Sequence, residues 1–148
     1  MGNRSEMIPR IKEIIVPQLR EWGFKGSYPH FRRANDEGFD LLSFQFNRHG
    51  GSFLIELSVA YPMRTEYKNC YFDGNEPLEK EIKKINVSNT FARYRVRNRK
   101  DEWFRYEMRN KKRVAEKALK KLSSAMKWFE NPLIYDELND RKEHGLLY

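Results

Sequence analysis

The chain has 148 residues, a formal net charge of +8 and a single cysteine, Cys70. This length is typical of one domain whose core needs no metal or disulfide, so we expect a single domain over residues 1–148. One cysteine excludes an intramolecular disulfide and favours a reducing, cytoplasmic location. The sequence contains no run of 18 apolar residues and no secretory pattern at its start, so we expect no membrane association.

The first predicted element is a helix over residues 9–22. Apolar residues such as Ile11 and Leu19 recur there at helical spacing, with charged residues between them. Pro17 lacks an amide hydrogen, so we expect a kink at that point. Gly23 follows and can supply the left-handed residue that ends a helix.

Strands are predicted next. The stretch YPHFRR is expected to be an edge strand, because Pro29 cannot donate to a central ladder. The stretch FDLLSFQFNRHGGSFLIELSVAY predicts a hairpin around Gly50 and Gly51, with His49 paired to Ser52 across a two-residue turn. That register matches apolar with apolar and polar with polar side chains: Phe46 with Ile55, Phe44 with Leu57, Gln45 with Glu56, and Ser43 with Ser58.

A second hairpin is predicted from residues 91–97 and 102–108. A three-residue loop would give these pairs: Val96 with Phe104, Tyr94 with Tyr106, Arg97 with Trp103, and Arg93 with Glu107. It would also set Arg95 against Arg105, an unfavourable contact unless an anion lies between the two guanidinium groups.

A long amphipathic helix is predicted from Asn110 to the Asn131-Pro132 pair, which ends it. Two short helices are expected in EPLEKEIKKI and LIYDELNDRKE. The elements together predict an α+β fold. Its antiparallel sheet of about five strands, two hairpins plus an edge strand, is covered on one face by helices from the N- and C-terminal parts of the chain.

The side of the sheet away from the helices is the candidate binding surface. Strand alternation places on it eight residues that we take as a candidate groove: Gln45, Glu56, Ser58, Arg93, Arg95, Arg97, Trp103 and Arg105. Arginine donates paired hydrogen bonds to carboxylate or phosphate groups. The same alternation also arises when an antiparallel sheet leaves one face in water, and both interpretations stay open.

The positive charge is concentrated in residues 91–121, which hold 13 lysines and arginines against four acids. Such a segment could run along a nucleic-acid backbone, or it could be the solvated back of the long helix.

The order of several segments resembles a known family. LREWGFKGSYPHFRR, LLSFQFNRHGGSFLIELSVAYP, ARYRV, DEWFRYE and KWFEN follow one another, over roughly residues 10–132, as in the bacterial domain of unknown function 4304 family. The positions that match its pattern are Gly23, Phe24, Phe31, Arg32, Gln45, Arg95 and Trp103. This chain has Trp103-Phe104 where members tend to have two tryptophans. The resemblance implies an α+β fold and a bacterial origin, and it supplies no catalytic residue.

Motifs of catalysis are absent from the sequence. His30, His49 and His144 are scattered, and there is no glycine-rich phosphate loop or nucleophile elbow, so we expect no catalytic residue, metal site or cofactor. Our first hypothesis is a non-enzymatic binding module whose polar sheet face takes an anionic ligand or a protein, for example in toxin neutralisation. The alternative is nucleic-acid binding through residues 91–121. The third is an enzyme that uses Glu56 on a phosphorylated small molecule.

Overall fold

The computed structural model describes residues 4–36, 38–60, 87 and 93–132. An antiparallel sheet carries helices on one face, which confirms the predicted α+β class and the approximate number of strands. The described elements are α1 (Arg4–Ile14), α2 (Val16–Glu21), β1 (Lys25–Ser27), β2 (His30–Ala34), β3 (Phe39–Phe46), β4 (Ser52–Ala60), β5 (Arg93–Arg95), β6 (Phe104–Arg105), α3 (Lys111–Ala125) and a 3₁₀ helix (Met126–Glu130). The two short helices predicted at residues 76–85 and 133–143 lie outside the described residues.

The predicted N-terminal helix is divided in two near Pro17. This proline occupies the first turn of α2, where its missing amide hydrogen has no intrahelical acceptor to lose. Gly23, at φ 93°, reverses the chain after α2. Its amide donates to the Arg20 carbonyl at 3.0 Å, and the Phe24 amide donates to the Leu19 carbonyl at 2.9 Å. These two bonds form a Schellman motif, so the predicted glycine stop is confirmed.

The hairpin of β3 and β4 has a register two residues away from the predicted one. The observed pairs are Phe46 with Phe53, Gln45 with Leu54, Phe44 with Ile55, Ser43 with Glu56, and Leu41 with Ser58. The loop is longer than predicted, because the Asn47 amide donates to the Ser52 carbonyl at 2.9 Å. Gly50 and Gly51, at φ 85° and 82°, close this longer loop. A shift of two residues leaves every side chain on its predicted face.

The predicted edge strand is not at the edge. β2 lies between β1 and β3, and β1 is the outer strand. Pro29 precedes β2 in the connection from β1, so its missing donor does not interrupt the ladder. The prediction was wrong because β1, with the sequence KGS, carries no apolar alternation that would mark it as a strand.

The predicted second hairpin does not form, because β5 and β6 pair with β4 and not with each other. Arg93 pairs with Ser58 and Arg95 with Glu56, whereas Arg105 pairs with Ser52. β3 occupies the other edge of β4, so β5 and β6 lie end to end along one edge. Between them the chain makes an excursion over residues 97–103, closed by a tight turn at Asn98–Asp101. Arg95 therefore does not face Arg105.

The main core lies between the helices and one face of the sheet. Its most buried side chains include Met7, Ile11, Ile15, Leu19, Phe24, Leu42, Phe53, Ile55, Leu57, Val96, Phe104, Tyr106, Ala115, Ala118 and Leu122. α3 begins as predicted, with the side chain of Asn110 accepting a hydrogen bond from the Arg113 amide at 3.1 Å. The small residues on its inner face let it pack close to α1.

Candidate anion-binding site on the sheet edge

Four arginines lie along the edge formed by β5, β6 and the excursion between them. We call Arg93, Arg95, Arg97 and Arg105 the arginine strip. Their side chains are between 44% and 58% exposed. The sequence RYRV produces this arrangement, because alternation in β5 turns Tyr94 and Val96 towards the core and the arginines away from it.

Among the described residues, the carboxylates near the strip occupy only part of its hydrogen-bonding capacity. Arg95 Nη1 and Arg97 Nη1 are each 3.6 Å from a different oxygen of Glu102, and Arg93 Nη1 is 3.9 Å from Glu56 Oε2. These distances exceed those of charge-assisted hydrogen bonds. Arg105 differs, because its Nη1 donates a hydrogen bond to an oxygen of Asp101 at 2.9 Å. A guanidinium has five N–H donors, so the strip can donate to an additional anion.

A row of polar residues crosses the sheet from β2 to Arg95 of the strip. His30, Ser43, Glu56 and Arg95 are successive partners on four neighbouring strands, and His30 Nδ1 lies 2.8 Å from Ser43 Oγ. Desolvation lowers the pKa of His30, so the neutral imidazole is favoured at physiological pH. Glu56 is 5% exposed and Ser58 is fully buried. The centre of this face is therefore withdrawn from water, unlike a solvated sheet face.

The structure distributes the eight predicted site residues over different surroundings. Arg93 and Arg95 lie next to Glu56 and Ser58 in the ladder. The other four lie further away along the chain or the sheet: Gln45 is exposed and pairs with Leu54, Trp103 belongs to the excursion, Arg105 is on β6, and Arg97 follows β5. Together with residues of the β3–β4 loop, Trp103 and Arg105 line a cleft of about 520 Å³, whereas Arg97 lines a different cleft against α3.

Sequence reasoning did not find that the charge of Lys117 is influenced by three other cations. Lys117 on α3 lies near Arg99, Arg109 and Lys121, and we call these four residues the cationic cluster. Desolvation and the three positive neighbours lower the pKa of Lys117. Within the described part of the chain, none of the four has a carboxylate within 4.0 Å. The charge run in the sequence was a signal, but the position of Arg99 depends on the unpredicted excursion.

Replacing Arg99 with glycine is expected to stabilise the protein by about 0.5–1 kcal/mol. Arg99 has φ 60°, a left-handed conformation that costs a side chain energy and costs glycine little. Removing its charge also relieves repulsion with Lys117. Urea denaturation checks the change, with Arg99→Gln as the control that removes the charge and keeps the side chain. If Arg99→Gly proves less stable than Arg99→Gln, backbone strain at this position is contradicted.

A second feature that sequence reasoning missed is a partly buried ion pair beside a cleft of about 620 Å³. Arg33 Nε and Nη2 donate to one oxygen of Asp40 at 2.9 and 2.7 Å, and Asn35 Nδ2 donates to the other at 2.8 Å. The guanidinium lies 4.6 Å from the ring centre of Phe24 and 5.3 Å from that of Phe129. Arg33 thus joins the β2–β3 hairpin to the segments after α2 and α3. The NDEG turn between Arg33 and Asp40 was the available signal.

Two kinds of feature are absent from the described residues. No helix there combines the length and the apolar character that a membrane crossing needs. No group of three or more histidine, cysteine or acidic side chains is placed to hold a metal ion in that part of the chain.

Comparisons with known proteins give one match. No curated protein and no solved structure matches the chain. A family model, described as a domain of unknown function, matches residues 15–131, which is more than half of the 148 residues. The matched range holds every described strand together with α2 and α3. The resemblance noted in the sequence is thereby confirmed, and the chain belongs to the domain of unknown function family DUF4304.

Proposed function

We propose that this protein is a non-enzymatic binding module whose arginine strip engages the carboxylate or phosphate groups of a partner. The observation that carries the proposal is the poor pairing of the strip. Within the described part of the chain, the carboxylates closest to three of its four exposed guanidinium groups lie at 3.6–3.9 Å, although each guanidinium has five N–H donors. An anion of the partner could accept hydrogen bonds from these guanidinium groups without first breaking a close ion pair.

Glu56 has a supporting role in this proposal. Its side chain is 7% exposed and lies on the strand next to Arg93 and Arg95. Burial of this carboxylate argues against its direct use on a substrate from solution, which was the third hypothesis. We assign Glu56 to holding Arg93 at the edge of the sheet by charge attraction. We place the module in the cytoplasm, supported by its single cysteine.

The second candidate function is binding to a nucleic-acid backbone, and the cationic cluster favours it. Arg99, Arg109, Lys117 and Lys121 repel one another, and phosphate groups would relieve that repulsion. The strip and the cluster both belong to the basic segment, so a chain of phosphates has two groups of cations to contact.

The proposal is tested by replacing Arg93, Arg95 and Arg105 together with alanine. Fluorescence anisotropy would measure binding of labelled polyglutamate and labelled single- and double-stranded oligonucleotides at ~50 mM salt. Charge-assisted hydrogen bonds contribute about 1.5–3 kcal/mol each, so the triple variant should bind at least about 100-fold more weakly. Arg97 is kept so that the cleft against α3 is unaltered.

The matched control is the triple alanine variant of Arg10, Lys12 and Lys25, exposed cations on α1 and β1. It changes the net charge by the same three units, and we expect it to retain most of the affinity. Equal losses in the two triple variants would reduce the binding to overall charge and contradict the strip. Preference for polyglutamate supports the first candidate, and preference for oligonucleotides supports the second.

A further inference from the structure

A cleft of about 360 Å³ lies between the end of β5 and the C-terminal part of α3. Its volume is within the range of sites for small molecules. The residues that line it come from three elements, and they include Tyr94, Arg97, Lys121, Ser124, Lys127 and Trp128. None of the four residues of the polar row lines this cleft, and the cleft is separate from the one at the β3–β4 loop.

The cleft is positively charged. Of the described lining residues, Arg97, Lys121 and Lys127 are cationic, and no described lining residue is acidic. Lys121 also belongs to the cationic cluster, so the positive potential continues along α3 beyond the cleft. Apart from the Glu102 contact of Arg97 at 3.6 Å, no carboxylate of the described residues lies within 4.0 Å of these three cations. An anionic group with more than one oxygen suits this arrangement.

The same cleft has an aromatic wall. The rings of Tyr94 and Trp128 are stacked, with centroids 5.9 Å apart and an angle of 20° between their planes. Phe129 contacts Trp128 edge-on at a centroid distance of 5.5 Å, and both rings pack against the main core. Tyr94 and Trp128 are only half-buried and both line the cleft. Flat π-systems stack on such rings, and they do so with little dependence on the identity of the base.

We propose that this cleft binds a nucleotide unit, with its base against Trp128 and its phosphate among Arg97, Lys121 and Lys127. A phosphate alone would use the cations and leave the aromatic wall unused, and an uncharged aromatic compound would do the reverse. A nucleotide has both groups at a spacing that a cleft of this size can span. The unit is either a free nucleotide or one nucleotide of a single strand, because both present the same chemistry. This inference shares Arg97 with the arginine strip but does not depend on Arg93, Arg95 or Arg105.

The experiment uses the full chain and measures binding by isothermal titration calorimetry at ~50 mM salt. The ligands are AMP, adenosine, ribose 5-phosphate and a single strand of about eight nucleotides. We expect AMP or the strand to bind at least about tenfold more tightly than adenosine or ribose 5-phosphate. Binding of AMP identifies the free nucleotide as the ligand, and binding of the strand alone identifies a nucleotide within a chain.

Two pairs of variants locate the binding. Lys121→Gln with Lys127→Gln should weaken it about tenfold or more, whereas Lys112→Gln with Lys120→Gln, on α3 but outside the cleft, should leave it nearly unchanged. Trp128→Leu should weaken it similarly and Trp128→Phe less, because phenylalanine keeps a ring for stacking. If Trp128→Leu fails to fold, the phenylalanine and lysine variants still decide the question.

The proposal is overturned if neither AMP nor the strand binds at millimolar concentration. It is also overturned if ribose 5-phosphate binds as tightly as AMP, or if the control lysine pair loses as much affinity as the cleft pair. These variants keep Arg93, Arg95 and Arg105, so failure of the nucleotide proposal does not count against the proposed function of these three arginines. The triple variant of the strip keeps every residue listed above as lining the cleft, so its loss of binding does not count for or against the nucleotide proposal.

Discussion

Replacing Asp40 with alanine is expected to destabilise the protein by about 3 kcal/mol. Asp40 is 4% exposed and accepts two hydrogen bonds from Arg33 and one from Asn35. Its loss would leave the donors of Asn35 and of Arg33, whose side chain is only 25% exposed, without their acceptor. The cost therefore comes from partly buried donors left without hydrogen bonds. Urea denaturation at neutral pH measures it.

A second substitution separates this cost from the intrinsic contribution of the pair. The double variant Arg33→Met with Asp40→Leu removes both charges and keeps apolar volume between Phe24 and Phe129. We expect it to recover to within about 1 kcal/mol of the wild type, because a buried ion pair often contributes little against apolar replacements. A double variant as unstable as Asp40→Ala would contradict this explanation.

The pH dependence of Asp40 gives an independent check. Burial raises the pKa of Asp40 above its usual value, although the hydrogen bonds from Asn35 and Arg33 oppose the shift. A raised folded-state pKa means that the carboxyl contributes most to stability below its unfolded-state pKa, and that this contribution decreases as the pH rises through the folded-state pKa. The free energy of unfolding of the wild type, relative to that of Asp40→Asn, should therefore be higher near about pH 4 than near about pH 7.

Replacing Phe53 with alanine is expected to destabilise the protein by about 3–5 kcal/mol. Phe53 is fully buried in β4 and stacks on Phe104 with centroids 5.4 Å apart and an angle of 27°. It also contacts Phe44, Phe46 and Tyr106 at centroid distances of 5.6–6.5 Å. Aromatic pairs contribute beyond the area they bury, so the cavity would remove several favourable contacts at once.

The matched control for Phe53 is Met108→Ala. Met108 is 96% exposed, and its truncation should change the free energy of unfolding by less than about 0.5 kcal/mol. Denaturation of both variants in urea, analysed with equal m-values, gives the comparison. A cost below about 1.5 kcal/mol for Phe53→Ala would contradict its place at the centre of the β3–β4–β6 packing.

The regular parts of the fold follow from local sequence patterns. The period of 3.6 residues and the cap at Asn110 identify α3, and Gly23 identifies the end of α2, because each signal depends on neighbouring residues alone. The alternation around Phe44 and Ile55 identifies two strands and their buried face. It cannot choose between registers that differ by two residues, because both place the same side chains inside.

Which strands pair with one another is harder to predict from the sequence than which segments form strands. The stretch around Arg93 and the one around Phe104 both alternate, and a hairpin between them satisfied the local pattern. The structure pairs both with β4, whose nine residues, Ser52–Ala60, give an edge long enough for two short strands. Contacts across the 97–103 excursion, including those of Arg99 with α3, depend on this pairing.

The sequence predicted which residues share one side of the sheet at the candidate site, but it did not predict their burial or the clefts around them. Alternation correctly placed Glu56, Ser58, Arg93 and Arg95 together on one side of the sheet. It could not show that Glu56 and Ser58 are buried, because burial depends on what covers a face and not on the strand itself. The clefts beside Trp128 and Asp40 each require residues distant in sequence, and no spacing rule connects them.

The most direct test of the central claim is a titration of the isotopically labelled protein with polyglutamate and, separately, with a single-stranded oligonucleotide, followed by amide chemical shifts. We predict that the largest changes with at least one of these ligands fall in residues 93–105, and that they decrease as salt is raised from ~50 to ~200 mM. Shifts confined to α1 and β1, or no saturable shifts with either polyanion, would contradict the account.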